Sequence, residues 1–459
     1  MPRFIENDIG PSQEALGDVE RAAIRTRCAE EVERGIQRLV KSAPPVVPKR
    51  WRLGQELYAG PLGQSFGLLH LYERSGAREE LDWARQYLDV AIEALERSAV
   101  PRPEEWLSFH ASGGASAVAA VVFDRLGDRG GRERHLEDYR RLAVRAADPK
   151  FPTEDLLWGR GGFLFGAAFL RSRLGEASLP DAWVRSALDR MISTGRRLAL
   201  THAEQLTPGP HGRPPLLYLN FNTFMMECFA RSLVGSRSRP ARALAAFAAR
   251  VLIWHGERRE GLSHRYDIGL VHGLAGNLYL MLHFPELVEQ LGATGDVRAS
   301  LDCLADCVDG ERGMLELLPS RHSVPGAFSD KVHWCNGTTG AVFLFARAYQ
   351  LFGEVAYLEA ARRAAEHVWR FGLLRKGSGI CHGIAGNAYS FLALHRVTSD
   401  RRQLDRALHF ARLSWSARVT RAQAAPDRPW SLYEGQLGTL CFYRDCLDPA
   451  QARFPAFEV

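Results

Sequence analysis

The pattern that decides the fold is clearest in the stretch Gly379-Ile380-Cys381-His382-Gly383-Ile384-Ala385-Gly386-Asn387-Ala388-Tyr389. Two glycines three residues apart are followed by small and apolar residues that are typical of a buried helix. The pattern recurs along the chain, each time before a small-residue helix and then a longer, charged one. Its first and second positions are Gly60/Gly63, Ala111/Gly114 (a degenerate copy), Gly159/Gly162, Gly273/Gly276, Gly337/Gly340, Gly383/Gly386 and Gly435/Gly438.

The spacing of these seven copies predicts a repeat fold. Intervals between first positions are 51, 48, 114, 64, 46 and 52 residues, which indicates one helix pair per unit and one long insertion. A helix pair cannot bury its inner face alone, so the units must stack or close into a ring. We therefore predict an all-α fold, an α/α toroid in which about fourteen helices form a double ring. The glycines would allow the loop backbones to crowd together near the axis.

Composition narrows the classes of function. The net charge of +6 is small and evenly spread, which argues against nucleic-acid binding. No apolar run reaches the roughly 18 residues of a membrane span, and no apolar signal core follows Met1. Eight dispersed cysteines lack the density of a disulfide scaffold, so we expect a cytoplasmic protein with reduced thiols.

The domain organisation follows from where the repeats begin. Residues 1–49 are predicted to form an N-terminal helix and a Pro-rich link, and residues 50–459 the ring. The long interval between the third and fourth copies indicates an insertion, which the family resemblance described below places near residues 219–265.

Cysteine and histidine residues in two neighbouring loops suggest a metal site. Cys335 and Cys381 occupy the same place in consecutive copies of the pattern Cys-x-Gly-x-x-Gly, and His382 lies on the same turn as Cys381. Two thiolates, one imidazole and an open fourth position are typical of catalytic zinc. The alternative is that these are packing cysteines and a structural histidine, and the matched loops favour the metal.

Three further residues are candidates for catalysis. His272 precedes Gly273 in the register that His382 has before Gly383, so it could accept or return a proton at the same centre. Asp155 could enter the same mouth, although it could equally cap a helix. Lys331 could bind an anion or remain a solvated loop lysine. Neither Asp155 nor Lys331 shares the repeat register.

An ordered set of blocks resembles the lanthionine synthetase C-like (LanC-like) family, and most closely its eukaryotic-type members. The blocks are Tyr58-Ala-Gly-Pro-Leu-Gly63, Trp158-Gly-Arg-Gly-Gly162, Gly269-Leu-Val-His-Gly-Leu-Ala-Gly276, His333-Trp-Cys-Asn-Gly337, Leu373-Leu-Arg-Lys-Gly-Ser-Gly-Ile-Cys-His-Gly383, Ser431-Leu-Tyr-Glu-Gly435 and Ala452-Arg-Phe-Pro-Ala-Phe-Glu458. The resemblance implies an α/α toroid with zinc held by Cys335, Cys381 and His382. It also implies that the zinc activates a thiol for addition to dehydroalanine or dehydrobutyrine while His272 handles protons.

The eukaryotic-type resemblance further implies glutathione as the thiol. Its glutathione-binding positions match Lys376 in the Leu-Leu-x-Lys-Gly block, Arg3 near the N-terminus, and a segment near Ala424–Asp427 that includes Asp427. The family arginine of that last segment is Ala424 here. Asp155 and Lys331 match an aspartate and an arginine of the cyclase active site.

Three hypotheses for function remain at this stage. The first is a zinc-dependent transferase that joins glutathione to dehydroamino acids in a peptide or protein. The second is a lanthipeptide cyclase in which the substrate peptide supplies its own cysteine. The third is a zinc- and glutathione-binding sensor or adaptor without turnover.

Overall fold

The structure is a computed structural model that describes residues 3–46, 56–97, 107, 109, 111–151, 153–156, 159–201, 216, 270–271, 274–315, 328–329, 331–426 and 428–459. Within these ranges the chain is helical, apart from short turns and a small antiparallel sheet. The α-helices are α1 (Asp18–Ser42), α2 (Glu56–Ala59), α3 (Pro61–Ser75), α4 (Arg78–Glu96), α5 (Ser112–Arg125), α6 (Arg129–Arg140), α7 (Leu142–Ala146), α8 (Arg160–Leu174), α9 (Asp181–Thr201), α10 (Leu274–Met281), α11 (Pro285–Gln290), α12 (Thr294–Asp306), α13 (Thr338–Phe352), α14 (Val355–Phe371), α15 (Ile384–Thr398), α16 (Arg401–Ser414), α17 (Ala417–Ala422) and α18 (Gln436–Asp445). The strands are β1 (Val308–Asp309), β2 (Gly313–Leu315) and β3 (Phe328–Ser329), paired in that order.

Seven inner helices close a ring over the described residues. Each begins directly after the first position of one repeat, and each packs on the next in the cyclic order α3, α5, α8, α10, α13, α15, α18 and back to α3. Their small and apolar side chains are buried on nearly every side, as in α15, where residues 384–394 are all buried. The predicted closure of seven repeats into a ring is confirmed.

The outer layer consists of amphipathic helices that each cover an inner one. In chain order α4, α6, α9, α12, α14 and α16 pack on the inner helix that precedes them. The seventh outer position is taken by α1, which packs on α18 and α16 although it comes from the other end of the sequence. The N-terminal helix is thus part of the double ring, and the chain closes the toroid by joining its two ends.

The C-terminal segment enters the ring at the end where the inner helices finish, and its aromatic side chains fill the interior. Phe454 and Phe457 are fully buried, and their rings contact aromatic side chains of three inner helices, Tyr279, Phe343 and Tyr389. The opposite end of the ring carries the Gly-x-x-Gly loops. The architecture therefore has a packed end and a loop end, and the loop end holds the candidate metal ligands.

In most repeats the second glycine is required by a close contact with the loop. A Cβ atom at Gly386 would lie 1.8 Å from the carbonyl oxygen of Ile380, and one at Gly276 would lie 1.8 Å from that of Leu270. The same contact, with the residue six positions earlier, limits Gly63 and Gly438. Each loop thus folds back over the first turn of its inner helix, which any larger side chain would prevent.

We expect Gly386→Ala to lower the free energy of unfolding by about 3 kcal/mol or more, because the added methyl group overlaps a backbone oxygen that cannot move alone. Urea denaturation followed by circular dichroism would measure the change. Gly130→Ala is the matched control, since Gly130 also lies in a helix and an added Cβ meets only the Asp128 carboxylate at 3.6 Å. Equal midpoints for the two variants would contradict the explanation.

The sequence also makes predictions about membrane spans, an insertion, a domain boundary and the cellular location. Over the described ranges no helix is both long and apolar enough to cross a membrane. The insertion near residues 219–265 lies outside the described residues. The domain boundary at residue 49 and the cytoplasmic location stay predictions.

Candidate metal centre

A chain of backbone hydrogen bonds joins equivalent loop positions around the ring. In five consecutive repeats the residue lies two positions before the first glycine, and in the first four of them its N–H donates to the carbonyl oxygen of its counterpart in the next repeat. In order, Val271 donates to Cys335 at 3.1 Å, Cys335 to Cys381 at 3.4 Å, Cys381 to Tyr433 at 2.9 Å, and Tyr433 to Tyr58 at 3.3 Å. Because these hydrogen bonds hold the loops at equivalent positions, cysteines in neighbouring repeats are neighbours in space.

The loops bring together Cys335, Cys381 and His382. One ligand atom from each, the two sulfurs and a ring nitrogen, lie within 4.8 Å of one another. Zinc binds sulfur at about 2.3 Å and imidazole nitrogen at about 2.0–2.1 Å, so two ligand atoms on one ion can be at most about 4.6 Å apart. The donor set and its spacing therefore fit a zinc ion with at most a small adjustment. The same set leaves one tetrahedral position open.

The two thiols differ in their protonation because they share a buried site. Burial raises the pKa of the Cys381 thiol, whereas the hydrogen bond from Cys381 lowers the pKa of Cys335. Cys335 is therefore the first of the pair to become a thiolate. Both cysteines also lie just before the N-termini of inner helices, α13 and α15, where the helix dipoles favour negative charge.

Three residues that the sequence analysis did not select surround these ligands. The Tyr58 hydroxyl hydrogen-bonds to the Cys381 thiol and, at 3.3 Å, to the Glu434 carboxylate. Glu434 Oε1 lies 3.6 Å from His382 Nε2, and the His333 ring interacts with Cys335. Burial, followed by the negative charge of Cys381, raises the pKa of Tyr58, so this side chain stays a protonated donor.

The repeat register could have identified two of these residues. Glu434 stands immediately before the first glycine of its repeat, as His382 and His272 do, and Tyr58 occupies the place of Cys335 and Cys381 in its own repeat. His333 carries no such signal.

We expect Glu434→Gln to weaken zinc binding about 10- to 100-fold, because a carboxylate beside a ligating imidazole orients the ring and increases its basicity. Competition with a chromogenic chelator would measure the affinity. Glu137→Gln, on the exposed side of α6, is the control and should bind zinc as the unmodified protein does. Unchanged affinity in Glu434→Gln would exclude this supporting role.

Of the three predicted catalytic residues, the structure describes two, Asp155 and Lys331. His272 lies outside the described residues, although the preceding Val271 is hydrogen-bonded to the Cys335 backbone. Asp155 is buried in the loop before α8, where its carbonyl oxygen accepts from Gly159. Lys331 is exposed on the loop that leads to Cys335, and its carbonyl oxygen accepts from Thr338. Asp155 and Lys331 both lie on loops at the loop end of the ring, and neither belongs to the ligand group.

Two of the three predicted glutathione-binding segments, and the start of the third, are held together by backbone hydrogen bonds. Arg375, next to Lys376, donates to the Arg3 carbonyl oxygen at 3.1 Å and accepts from Ala424 at 2.7 Å. Both Arg3 and Lys376 are exposed. Asp427 lies outside the described residues. Segments that are more than 400 residues apart in sequence thus meet beside the turn that carries Cys381.

Comparisons with known proteins agree with these observations. The family model of "Lanthionine synthetase C-like protein" matches residues 252–459. The chain is 29% identical to glutathione S-transferase LANCL1 of Danio rerio over 416 residues, which is 88% of this chain and 84% of that protein. It is also 29% identical to LanC-like protein GCL1 of Arabidopsis thaliana over 442 residues, covering 93% and 84%.

Among solved structures, nisin cyclase has the same fold. It superposes with a TM-score of 0.55 at 13% sequence identity, over 92% of this chain and 94% of nisin cyclase. This likeness confirms the predicted α/α toroid.

Proposed function

We propose that this chain belongs to the lanthionine synthetase C-like family and that it adds glutathione to dehydroalanine or dehydrobutyrine residues of peptides or proteins. The observation that carries the proposal is the group of two cysteines and one histidine at the loop end of the ring. The similarity to a protein named glutathione S-transferase supports the choice of thiol.

Cys335, Cys381 and His382 are the residues that would hold zinc. When bound there, zinc lowers the pKa of a thiol at its open position, so that the thiol reacts as an anion near neutral pH. Tyr58 hydrogen-bonds to Cys381, and Glu434 lies beside His382, so these two side chains help to position the ligands. The N-terminal ends of the inner helices add a positive potential that favours an anionic nucleophile.

The addition forms one bond and moves one proton. The thiolate sulfur bonds to the β-carbon of the dehydroamino acid, and the electron pair of the Cα–Cβ double bond moves toward Cα and its carbonyl group. His272 then supplies the proton that Cα requires, and the proton lost by the thiol returns to solvent or to the imidazole. No leaving group departs, so product and substrates balance.

Lys376, Arg3 and Asp427 would recognise the ends of glutathione. Lysine and arginine pair with its two carboxylates, and the aspartate with its ammonium group. The joined backbones of Arg3, Arg375 and Ala424 support this assignment. Because Ala424 replaces a family arginine, we expect weaker glutathione binding than an arginine there would give.

Asp155 and Lys331 would orient the reacting groups. A lysine at the loop before Cys335 can stabilise the negative charge that develops on the substrate carbonyl oxygen. The Asp155 carboxylate would hold His272 or the peptide in place. Neither role requires contact with the metal.

The decisive experiment incubates zinc-loaded protein with glutathione and a peptide that contains one dehydroalanine. We expect the peptide to gain the mass of one glutathione, faster than in buffer. A second peptide with an internal cysteine tests the cyclase alternative, in which a thioether forms without glutathione. If neither peptide changes faster than in buffer while zinc is bound, the protein is not a thioether-forming enzyme.

A further inference from the structure

A polar cavity lies at the packed end of the ring, remote from the candidate metal ligands. Arg74, Arg125 and Arg173 lie in the last turns of α3, α5 and α8, and Arg453 follows α18. With a rise of about 1.5 Å per residue, a 15-residue helix such as α3 separates the two ends by roughly 20 Å. The four arginines line a cavity of ≈ 560 Å³, which we call the arginine cavity.

Positive charge exceeds negative charge in the lining. Glu73 is the one carboxylate side chain among the lining residues that the structure describes, and it is shared by Arg125 at 3.6 Å and Arg173 at 3.5 Å. Arg74 is held from behind by the buried Asp445 at 3.1 Å. Arg453 donates to the carbonyl oxygens of Ala450 and Ala452. Arg125 also pairs with Asp124 at 2.6 Å. The four guanidinium groups thus meet one carboxylate side chain in the lining and further carboxylates behind it.

These arginines are partly withdrawn from water. The side chains of Arg173, Arg74 and Arg125 are 12%, 15% and 27% exposed, whereas that of Arg141 on the outer layer is 70% exposed. Burial, with the charges of Arg74 and Arg125, lowers the pKa of Arg173. Burial and the nearby Arg396 likewise lower the pKa of Arg453. Four arginines gathered at low exposure give a positive potential that favours an added anion, beyond the carboxylates that already pair with them.

Helix capping accounts for only part of the arrangement. Arginine in the last turn of a helix interacts favourably with the helix dipole, and this explains the positions of Arg74, Arg125 and Arg173. It does not explain Arg453, which is outside any helix. Nor does it require the three helix ends to line one cavity, because an arginine on the outer surface would interact with the dipole equally well.

Phosphate is the ligand whose chemistry matches this cavity best. Guanidinium groups bind tetrahedral phosphate oxygens through paired, charge-assisted hydrogen bonds. Tyr72, Ser172 and Gln451 in the lining add neutral hydrogen-bonding groups. The volume exceeds that of free phosphate, so a small organic group attached to the phosphate can also be accommodated.

We propose that the arginine cavity binds a phosphate group, from either inorganic phosphate or a small phosphate monoester. The site is separate from the metal centre, and it does not depend on the proposed thiol addition.

Isothermal titration calorimetry at constant ionic strength tests the proposal, with inorganic phosphate and glycerol 3-phosphate as probes and glycerol as the uncharged reference. We expect saturable binding of at least one phosphate probe and none of glycerol. The two probes distinguish the sources, since tighter binding of glycerol 3-phosphate would indicate a monoester and tighter binding of inorganic phosphate the free ion. Absence of saturable binding for both would overturn the proposal.

Substitution locates the site. Arg453→Gln and Arg125→Gln should each weaken phosphate binding about tenfold or more, because each removes a charge-assisted hydrogen-bond donor. Arg141→Gln, which removes an exposed arginine of the outer layer, should bind as the unmodified protein does. Thermal unfolding checks that each variant is folded, and if one of the two is not, the other carries the comparison. Unchanged affinity in a folded cavity variant would overturn the assignment.

Discussion

Cys381→Ala is expected to remove zinc and to lower the rate of thiol addition by about three orders of magnitude. The substitution leaves one thiol and one imidazole, too few ligands to hold the ion in a tetrahedral site with an open position. A metal that activates a nucleophile and stabilises charge contributes several kcal/mol to the barrier, and each 1.36 kcal/mol is about a factor of ten in rate. Cys335→Ala should behave in the same way.

Metal analysis by mass spectrometry and the dehydroalanine assay would measure both effects. Cys441→Ala is the matched control, since Cys441 is a fully buried cysteine of α18 outside the ligand group, with its thiol directed to the Gly67 carbonyl oxygen. It should lose stability but keep one zinc per chain. Full zinc occupancy in Cys381→Ala would exclude the proposed ligand set.

The ring could be predicted because its demands on sequence are local. Each repeat needs a glycine where the loop crosses the first helical turn, as at Gly386 and Gly276, and this steric requirement leaves a visible spacing. Cys335 and Cys381 hold the same position in consecutive repeats, so they are expected to be neighbours. The hydrogen bond between their backbones confirms this expectation. The regular spacing of the glycines therefore predicted the contact between these two cysteine loops.

Contacts between distant segments leave no comparable signal. Tyr58 and Glu434 are 376 residues apart, and their meeting follows only from closure of the ring. The packing of α1 on α18 has the same cause, because an isolated amphipathic helix at the N-terminus does not reveal its partner. Apolar composition did not predict the burial of Phe454 and Phe457 inside the ring either.

The C-terminal segment also contacts the loops that carry Cys335 and Cys381. Trp334, which precedes Cys335, stacks on Phe454 at 4.8 Å and meets Phe457 edge-on at 5.2 Å between ring centroids. Tyr433, whose carbonyl oxygen accepts from Cys381, donates through its hydroxyl to Ala456. The loops that carry the two cysteines therefore lie directly on the aromatic packing of the C-terminal segment, which restricts how far the sulfurs can move apart.

His272→Ala is expected to reduce kcat for thiol addition about 10²- to 10⁴-fold while leaving zinc content unchanged. The addition places negative charge on Cα and its carbonyl group, and a positioned acid that delivers the proton contributes a factor of this size. Its register, one residue before Gly273, matches that of His382, and Val271 beside it donates to the Cys335 backbone. The substitution would remove the proposed proton donor but none of the three proposed metal ligands.

Three measurements separate the roles that His272 could have. Loss of zinc together with activity would make it a ligand, and an unchanged kcat with zinc retained would exclude proton transfer by His272. Partial recovery of rate on adding imidazole to His272→Ala would identify proton transfer as the missing step. His135→Ala, in which the histidine of the outer helix α6 is removed, should leave rate and zinc content unchanged, because that ring packs on Phe123 away from the loops.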